Sequence, residues 1–280
     1  MRARPLAATG AAGLALAAVM LTSAPAGAAP GDATLYVLHG VPGLTVDVWV
    51  NGQRTLDDFT PGTLAGPLEL APGTYTVAIT AADAADASSP AIGPVDLTLA
   101  GNTSYTAVAH LDASASPTAT LFTNDTSTTA AGQGRLTVRH VAAAPAVDVL
   151  AGGSAVISGL TNPNEKVLNL PAGTVSASVV AAGTTEPALL GPTDVNVAEG
   201  TNTIVYAWGN GTATPSTLAL ATQVIDGLHG TPSGVPAGEL GLAADPEVPA
   251  WTWVAAGLLV AGLAAASATA VRRRAVTVRR

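Results

Sequence analysis

The sequence contains no cysteine. Disulfides, thiolate metal sites, a cysteine nucleophile and a lipid-modified N-terminal cysteine are therefore excluded. Export stays compatible with this, because a bacterial exterior does not require disulfides. Aromatic residues are also scarce, at 4%, with Phe59 and Phe122 as the only phenylalanines. The hydrophobic fraction of 48% is carried largely by Ala and Val, so cores must be built from small and β-branched side chains. Basic charge is missing from the middle of the chain. All 19 Asp and Glu lie between Asp32 and Glu247, where only four of the 11 basic residues fall, namely Arg54, Arg135, Arg139 and Lys166; the balance there is four against nineteen, or −15. Such a surface repels phosphate backbones, so no nucleic-acid partner is expected.

The other basic residues sit at the two ends. Residues 1–28 read as a secretory signal peptide: Arg2 and Arg4, an apolar run from Leu6 to Leu21, then Ala26-Gly27-Ala28 as a small-residue cleavage site. Residues 250–271 read as one transmembrane helix. The uncharged run from Trp251 to Val271, at about 1.5 Å per residue, matches the ~30 Å hydrocarbon core of a bilayer. Trp251 and Trp253 suit the outer headgroup boundary, and Arg272, Arg273 and Arg274 hold the following tail, 272–280, in the cytoplasm. The layout is that of proteins transferred to the cell wall by sortases, but the required Leu-Pro-x-Thr-Gly is absent. "DPEVPA" stands there instead, from Asp245 to Ala250. A single-pass protein of the cell membrane is expected, with the N-terminal ectodomain outside.

Between the ends, short β-branched runs alternate with turn residues. "TLYVL", "TVDVWV", "TYTVAIT", "VDLTL", "YTAVAH" and "TATLF" are of strand length, and Asn51-Gly52 is a two-residue hairpin signal. No stretch holds a helical period, so the ectodomain is expected to be all-β. The order then recurs. "RLTVRH" answers "TLYVLH", "LPAGT" at 170–174 answers "LAPGT" at 70–74, and "GPTDVNVAEGTNT" answers "GPVDLTLAGNT", at offsets of 98 to 101 residues. That period is too long for a solenoid and fits two tandem immunoglobulin-like β-sandwiches of seven or eight strands each. Repeat 1 is placed at 32–125, a Ser/Thr/Gly linker at 126–133, repeat 2 at 134–226 and a Gly/Pro-rich spacer at 227–249.

The paired openings carry a resemblance. "LHGVPGLTVDVWVNG" at 38–52 and "RHVAAAPAVDVLAGG" at 139–153, each followed by a Leu-and-Pro-Gly-Thr-like turn, resemble the family called domain of unknown function 4397. The usual Ser-Pro-Asp-Ala-Pro run after the His is "GVPG" in one opening and "AAAP" in the other, so its Asp is missing from both. The resemblance implies secreted tandem β-domains and brings no established activity.

The repeated residues with chemistry are His39 and Asp47, answered by His140 and Asp148. One imidazole and one carboxylate are fewer ligands than zinc or copper sites need. They are expected to be structural, each Asp holding backbone donors near the next turn and each His packing at a strand end. Asp57 and Asp58, adjacent on a strand, are expected on opposite faces. His110 and His229 have no counterpart in the other repeat. There is no Gly-x-Ser-x-Gly elbow, no EF-hand spacing, and "GNGTAT" at 209–214 lacks the Lys of a phosphate loop. No enzyme, catalytic residue, metal site or cofactor is expected. The expected role is structural or adhesive, as an envelope interaction module with a protein or glycan partner. A ligand-binding receptor ectodomain, presenting a small molecule or sugar, is the alternative.

Overall fold

In the computed structural model, residues 31–230 are described. The expected signal peptide at 1–28, transmembrane helix at 250–271 and tail at 272–280, and the expected spacer at 227–249 beyond residue 230, lie outside the described residues. The described chain is all-β, with sixteen strands and no helix. Repeat 1 contributes β1 (Ala33–Gly40), β2 (Val46–Val50), β3 (Gln53–Phe59), β4 (Leu64–Leu70), β5 (Gly73–Ala81), β6 (Ile92–Leu99), β7 (Ser104–Leu111) and β8 (Pro117–Thr123). Repeat 2 contributes β9 (Gln133–Ala143), β10 (Val147–Ala151), β11 (Ser154–Leu160), β12 (Glu165–Pro171), β13 (Gly173–Ala181), β14 (Ala188–Val197), β15 (Asn202–Asn210) and β16 (Ala219–Ile225).

Each repeat forms two four-stranded sheets. Repeat 1 has the orders β4-β1-β7-β8 and β3-β2-β5-β6, and repeat 2 has β12-β9-β15-β16 and β11-β10-β13-β14. The duplication is therefore one of topology as well as of sequence. β1 runs parallel to β7 and β9 parallel to β15, in the centre of their sheets. This order departs from the immunoglobulin arrangement expected from strand number and spacing, in which the sheets read A-B-E-D and C-F-G. Lettered along the chain, the order here is D-A-G-H and C-B-E-F. Period-two alternation marks which face of a strand is buried and leaves its neighbour open.

The hairpins follow from local chemistry. Asn51 and Gly52 both have positive φ, 51° and 79°, as a type I′ turn requires, and Val50 pairs with Gln53 across it. Gly152 and Gly153, at 55° and 83°, make the same turn between β10 and β11.

Three layers of apolar contact hold the body. In repeat 2, Leu136, Val138, Val149, Val179, Val197 and Val205 fill the space between its sheets. In repeat 1 the inner faces supply Val46, Val48, Ile79 and Leu111 at one end and Leu35, Leu99 and Tyr105 at the other. The third layer lies between the repeats. Leu38, Val108 and Phe122 of repeat 1 pack on Val141, Ile204, Tyr206 and Trp208 of repeat 2. The sheets containing β1 and β7 and containing β9 and β15 are thus buried on both faces, and β7, β9 and β15 read as almost unbroken buried runs.

Most polar groups inside this junction are paired, while Asn162 Oδ1, Trp208 Nε1 and Gln223 Nε2 are buried without a partner. Arg139, 1% exposed, lies 2.7 Å from Glu165 Oε2, donates to Tyr206 Oη at 2.8 Å and stacks 4.4 Å above the Phe122 ring. Tyr206 and, from the other repeat, Thr106 both donate to Gln223 Oε1, at 2.6 and 3.0 Å. Asn162 Nδ2 donates to the carbonyls of Leu111 and Ala142, one in each repeat. Buried polar groups left unpaired are costly, so these cross-repeat bonds favour one arrangement of the two repeats.

The stretch at 126–133 is docked rather than free. Arg135, 3% exposed, donates to the Asp125 and Ser127 carbonyls and to Ser127 Oγ, and its guanidinium lies 3.2 Å from Asp125 Oδ1. Thr129 N donates to the Leu228 carbonyl at 2.8 Å, tying the inter-repeat segment to the chain after β16. Gly62, at φ +81°, lets its loop lie on the Trp208 indole: an added Cβ would sit 2.9 Å from Trp208 Cζ2. Trp208→Ala is therefore expected to cost about 3–5 kcal/mol and to lower one shared melting transition. Calorimetry of the variant that leaves one repeat melting at the wild-type temperature would contradict the shared junction.

Candidate functional site

The repeated His and Asp occupy equivalent places. His39 ends β1 on its inner side, and its Nε2–H donates to the Leu44 carbonyl, five residues on, at 2.6 Å. His140 does the same to Pro145, also five residues on, at 3.0 Å. Each imidazole braces the loop that carries the chain from one sheet to the other. Both rings are 1% exposed. Burial pushes both below the ordinary histidine value, against the opposing effect of their carbonyl partners. Each of these bonds requires a proton on Nε2, and burial favours the neutral form of the ring. His39 also stacks on Phe59, with centroids 5.8 Å apart.

Asp47 and Asp148 hold backbone donors. Asp47 Oδ1 accepts from Asp58 N at 3.0 Å, and Asp148 Oδ1 accepts from Gly159 N at 2.7 Å. Asp58 and Gly159 are corresponding residues, both left-handed at φ 51° and 64°, in strands whose register shifts opposite β2 and β10. Such a bulge turns an N–H out of the ladder, and the carboxylate collects it. Asp148 Oδ2 also accepts from Gly183 N at 2.8 Å. These backbone donors hold Asp148 below the usual carboxylate range. Burial pushes Asp47 up, but the Asp58 N–H and Arg54 outweigh it and the net direction is downward.

The same bulge overturns one expectation. Asp57 and Asp58 do not face opposite ways: with Asp47 they bring carboxylate oxygens within 4.8 Å of one another. Alternation fails because Asp58 adopts positive φ inside the strand. The group has an internal cation, since Arg54 Nη1 lies 3.1 Å from Asp47 Oδ2 and 2.9 Å from Asp57 Oδ1. Repeat 2 has Ala155, Ser158 and Gly159 at the places of Arg54, Asp57 and Asp58, so the cluster is not part of the shared frame.

His110 is fully buried, with Nδ1–H donating to Leu111 O and Nε2 accepting from Thr120 Oγ1, each at 2.9 Å. Burial lowers its pKa as well. His229 is exposed and bridges Thr129. His110 lies near enough to His140 for that ring to add to the lowering of its pKa.

The interiors of the two repeats differ far more than their motifs. Between the sheets of repeat 1 lies an apolar chamber of about 290 Å³. The corresponding space in repeat 2 is about 30 Å³. Tyr75, Val77, Ile79 and Leu97 form one wall of the chamber, and Ala107, Ala109 and Ala119 form the facing one. Strand register equates Ala107 with Val205 and Ala119 with Leu220, both of which project into the interior of repeat 2. Asn51, Gln53 and Thr55 supply polar groups at one side of the chamber, with Gln53 and Thr55 exposed. Sequence reading had not singled out this chamber. Its signal was in the aligned repeats, as alanines facing a Val and a Leu at the same register.

With the geometry in place, the comparisons with known proteins are limited but definite. The profile of the family described as domain of unknown function 4397 matches residues 33–150 and 141–231. Together these cover most of the chain, and the protein belongs to that family. No curated protein matches the chain.

Two outcomes follow from the buried residues. Asp47→Ala strands the Asp58 N–H and is expected to cost about 1–3 kcal/mol in denaturant titrations; no loss would contradict the bracing role. His39, His110 and His140 all have lowered folded pKa values. The unfolded chain then binds protons first, so their contribution is complete above about pH 6.5 and is lost as pH falls below it. The melting temperature should decline from about pH 6.5 downward, with the carboxylates adding a second decline near pH 4. A flat profile down to the carboxylate range would rule out neutral buried histidines.

Proposed function

We propose that the protein is a single-pass membrane protein of the bacterial surface, with a structural or adhesive role in the envelope. In the loose sense of eight-stranded, two-sheet modules, its repeats are immunoglobulin-like. The signal at 1–28, the uncharged run ending at Val271 and the arginines behind it support export and anchoring. What most supports the structural role is the junction of Arg139, Phe122, Tyr206 and Trp208, which makes two domains into one stiff body. A module that transmits or resists force between envelope components benefits from such a joint. Partners would be a protein or glycan of the envelope, met over sheet faces or loop tips. One observation favours the second reading, a ligand-binding ectodomain: the space between the sheets is about 290 Å³ in repeat 1 and about 30 Å³ at the corresponding place in repeat 2.

Protease added to intact cells is expected to remove the ectodomain and leave a membrane stub beginning near residue 250. Recovery of the intact protein from the medium would contradict anchoring. Beads carrying the ectodomain should retain a component of whole envelope fractions. Equal retention by beads carrying heat-unfolded protein would contradict the interaction role.

A further inference from the structure

We propose that the chamber of repeat 1 is a binding site for an uncharged, single-chain hydrocarbon, an alkyl or isoprenyl chain with a neutral head group. The inference rests on the ligand-binding reading of repeat 1.

Size sets the class of guest. An apolar cavity of about 150 Å³ accepts a benzene-sized molecule, and the chamber here is about 290 Å³. It therefore has room for roughly ten carbons. A void of that size between two sheets forfeits the dispersion contacts of every side chain lining it. Repeat 2 demonstrates that this frame can close, leaving about 30 Å³ with Val205 and Leu220 where repeat 1 has Ala107 and Ala119. The open interior is thus a property of repeat 1's side chains and not a requirement of the topology.

Chemistry sets the head group. The lining has no Asp, Glu, Lys, Arg or His, and its phenol, Tyr75, donates to the Ala71 carbonyl. The polar residues are two amides and a hydroxyl, Asn51, Gln53 and Thr55. Asn51 Oδ1 already accepts from Thr76 N at 3.0 Å, which leaves its amide N–H groups to donate. A hydroxyl, ester or amide head satisfies such partners. A carboxylate or phosphate head would find no cation there, on a domain surface whose balance is strongly acidic. Arg54 is held at Asp47 and Asp57.

Photo-cross-linking of the full chain in nanodiscs, with a neutral alkyl alcohol bearing a diazirine, tests the site against an internal control. Mapped by peptide mass spectrometry, cross-links are expected in the segments holding Tyr75 to Ile79 and Ala107 to Ala119. The equivalent segment of repeat 2, Val175 to Val179, should stay unlabelled; Val205 and Leu220 also border a separate pocket of about 200 Å³ and do not serve as the control. Unlabelled decanol should displace the probe, and octanol should do so roughly tenfold less well, the ratio that two buried methylenes give. Geraniol against decanol separates an isoprenyl from an alkyl preference. Ala119→Leu, alone or with Ala107→Val, should abolish labelling by filling the chamber; the wild-type map stands without them if either variant fails to fold. Decanoate displacing the probe as well as decanol would overturn the uncharged class while leaving the chamber a ligand site. Labelling spread evenly over both repeats, or absent from repeat 1, would overturn the chamber as a site altogether.

Discussion

The burial of Arg139 between the two repeats is the constraint on which the rest of the body depends. A guanidinium removed from water needs a counter-charge and partners for its N–H groups, and here it has Glu165, the Tyr206 hydroxyl and the face of Phe122. Glu165 and Tyr206 belong to repeat 2, whereas Phe122 belongs to repeat 1. Tyr206 in turn shares the Gln223 oxygen with Thr106 of repeat 1. Loss of the junction would expose Leu38, Val108, Ile204 and Trp208 and leave these polar groups to find water. Both central sheets therefore require each other for full burial.

This arrangement explains the small number of basic residues and where they sit. Of four between Asp32 and Glu247, Arg54 braces the β2–β3 bulge, Arg135 clamps the inter-repeat segment and Arg139 sits in the junction. Three of the four cations are thus engaged in contacts within the fold, while Lys166 is exposed.

Much of the frame was legible in the sequence. The hairpin pairs Asn51-Gly52 and Gly152-Gly153 demanded positive φ and have it. The recurrence of His39 with Asp47 and of His140 with Asp148 marked one structural unit built twice, and each residue makes the same backbone contact in both copies. Four features were not legible. Parallel pairing of β1 with β7 is non-local, and alternation carries no information about neighbours. The grouping of Asp58 with Asp47 and Asp57 depends on a bulge whose positive φ falls on a residue other than Gly. The junction was hidden because β9 and β15 carry Thr, Arg, Asn and Tyr at buried positions, which read as solvent-facing until their partners from the other repeat are in place. The chamber was hidden for the opposite reason: alanine at an inward position looks like an ordinary core residue unless the sister repeat is laid beside it.

Native-state hydrogen exchange tests the fusion of the repeats most directly. If the junction makes them one cooperative body, the slowest amides of β7 in repeat 1 and of β15 in repeat 2 will exchange through the same global opening. Their free energies and denaturant dependence will coincide. Amides of β1–β8 exchanging through an opening of clearly lower free energy than those of β9–β16 would contradict it, because each repeat would then be unfolding on its own.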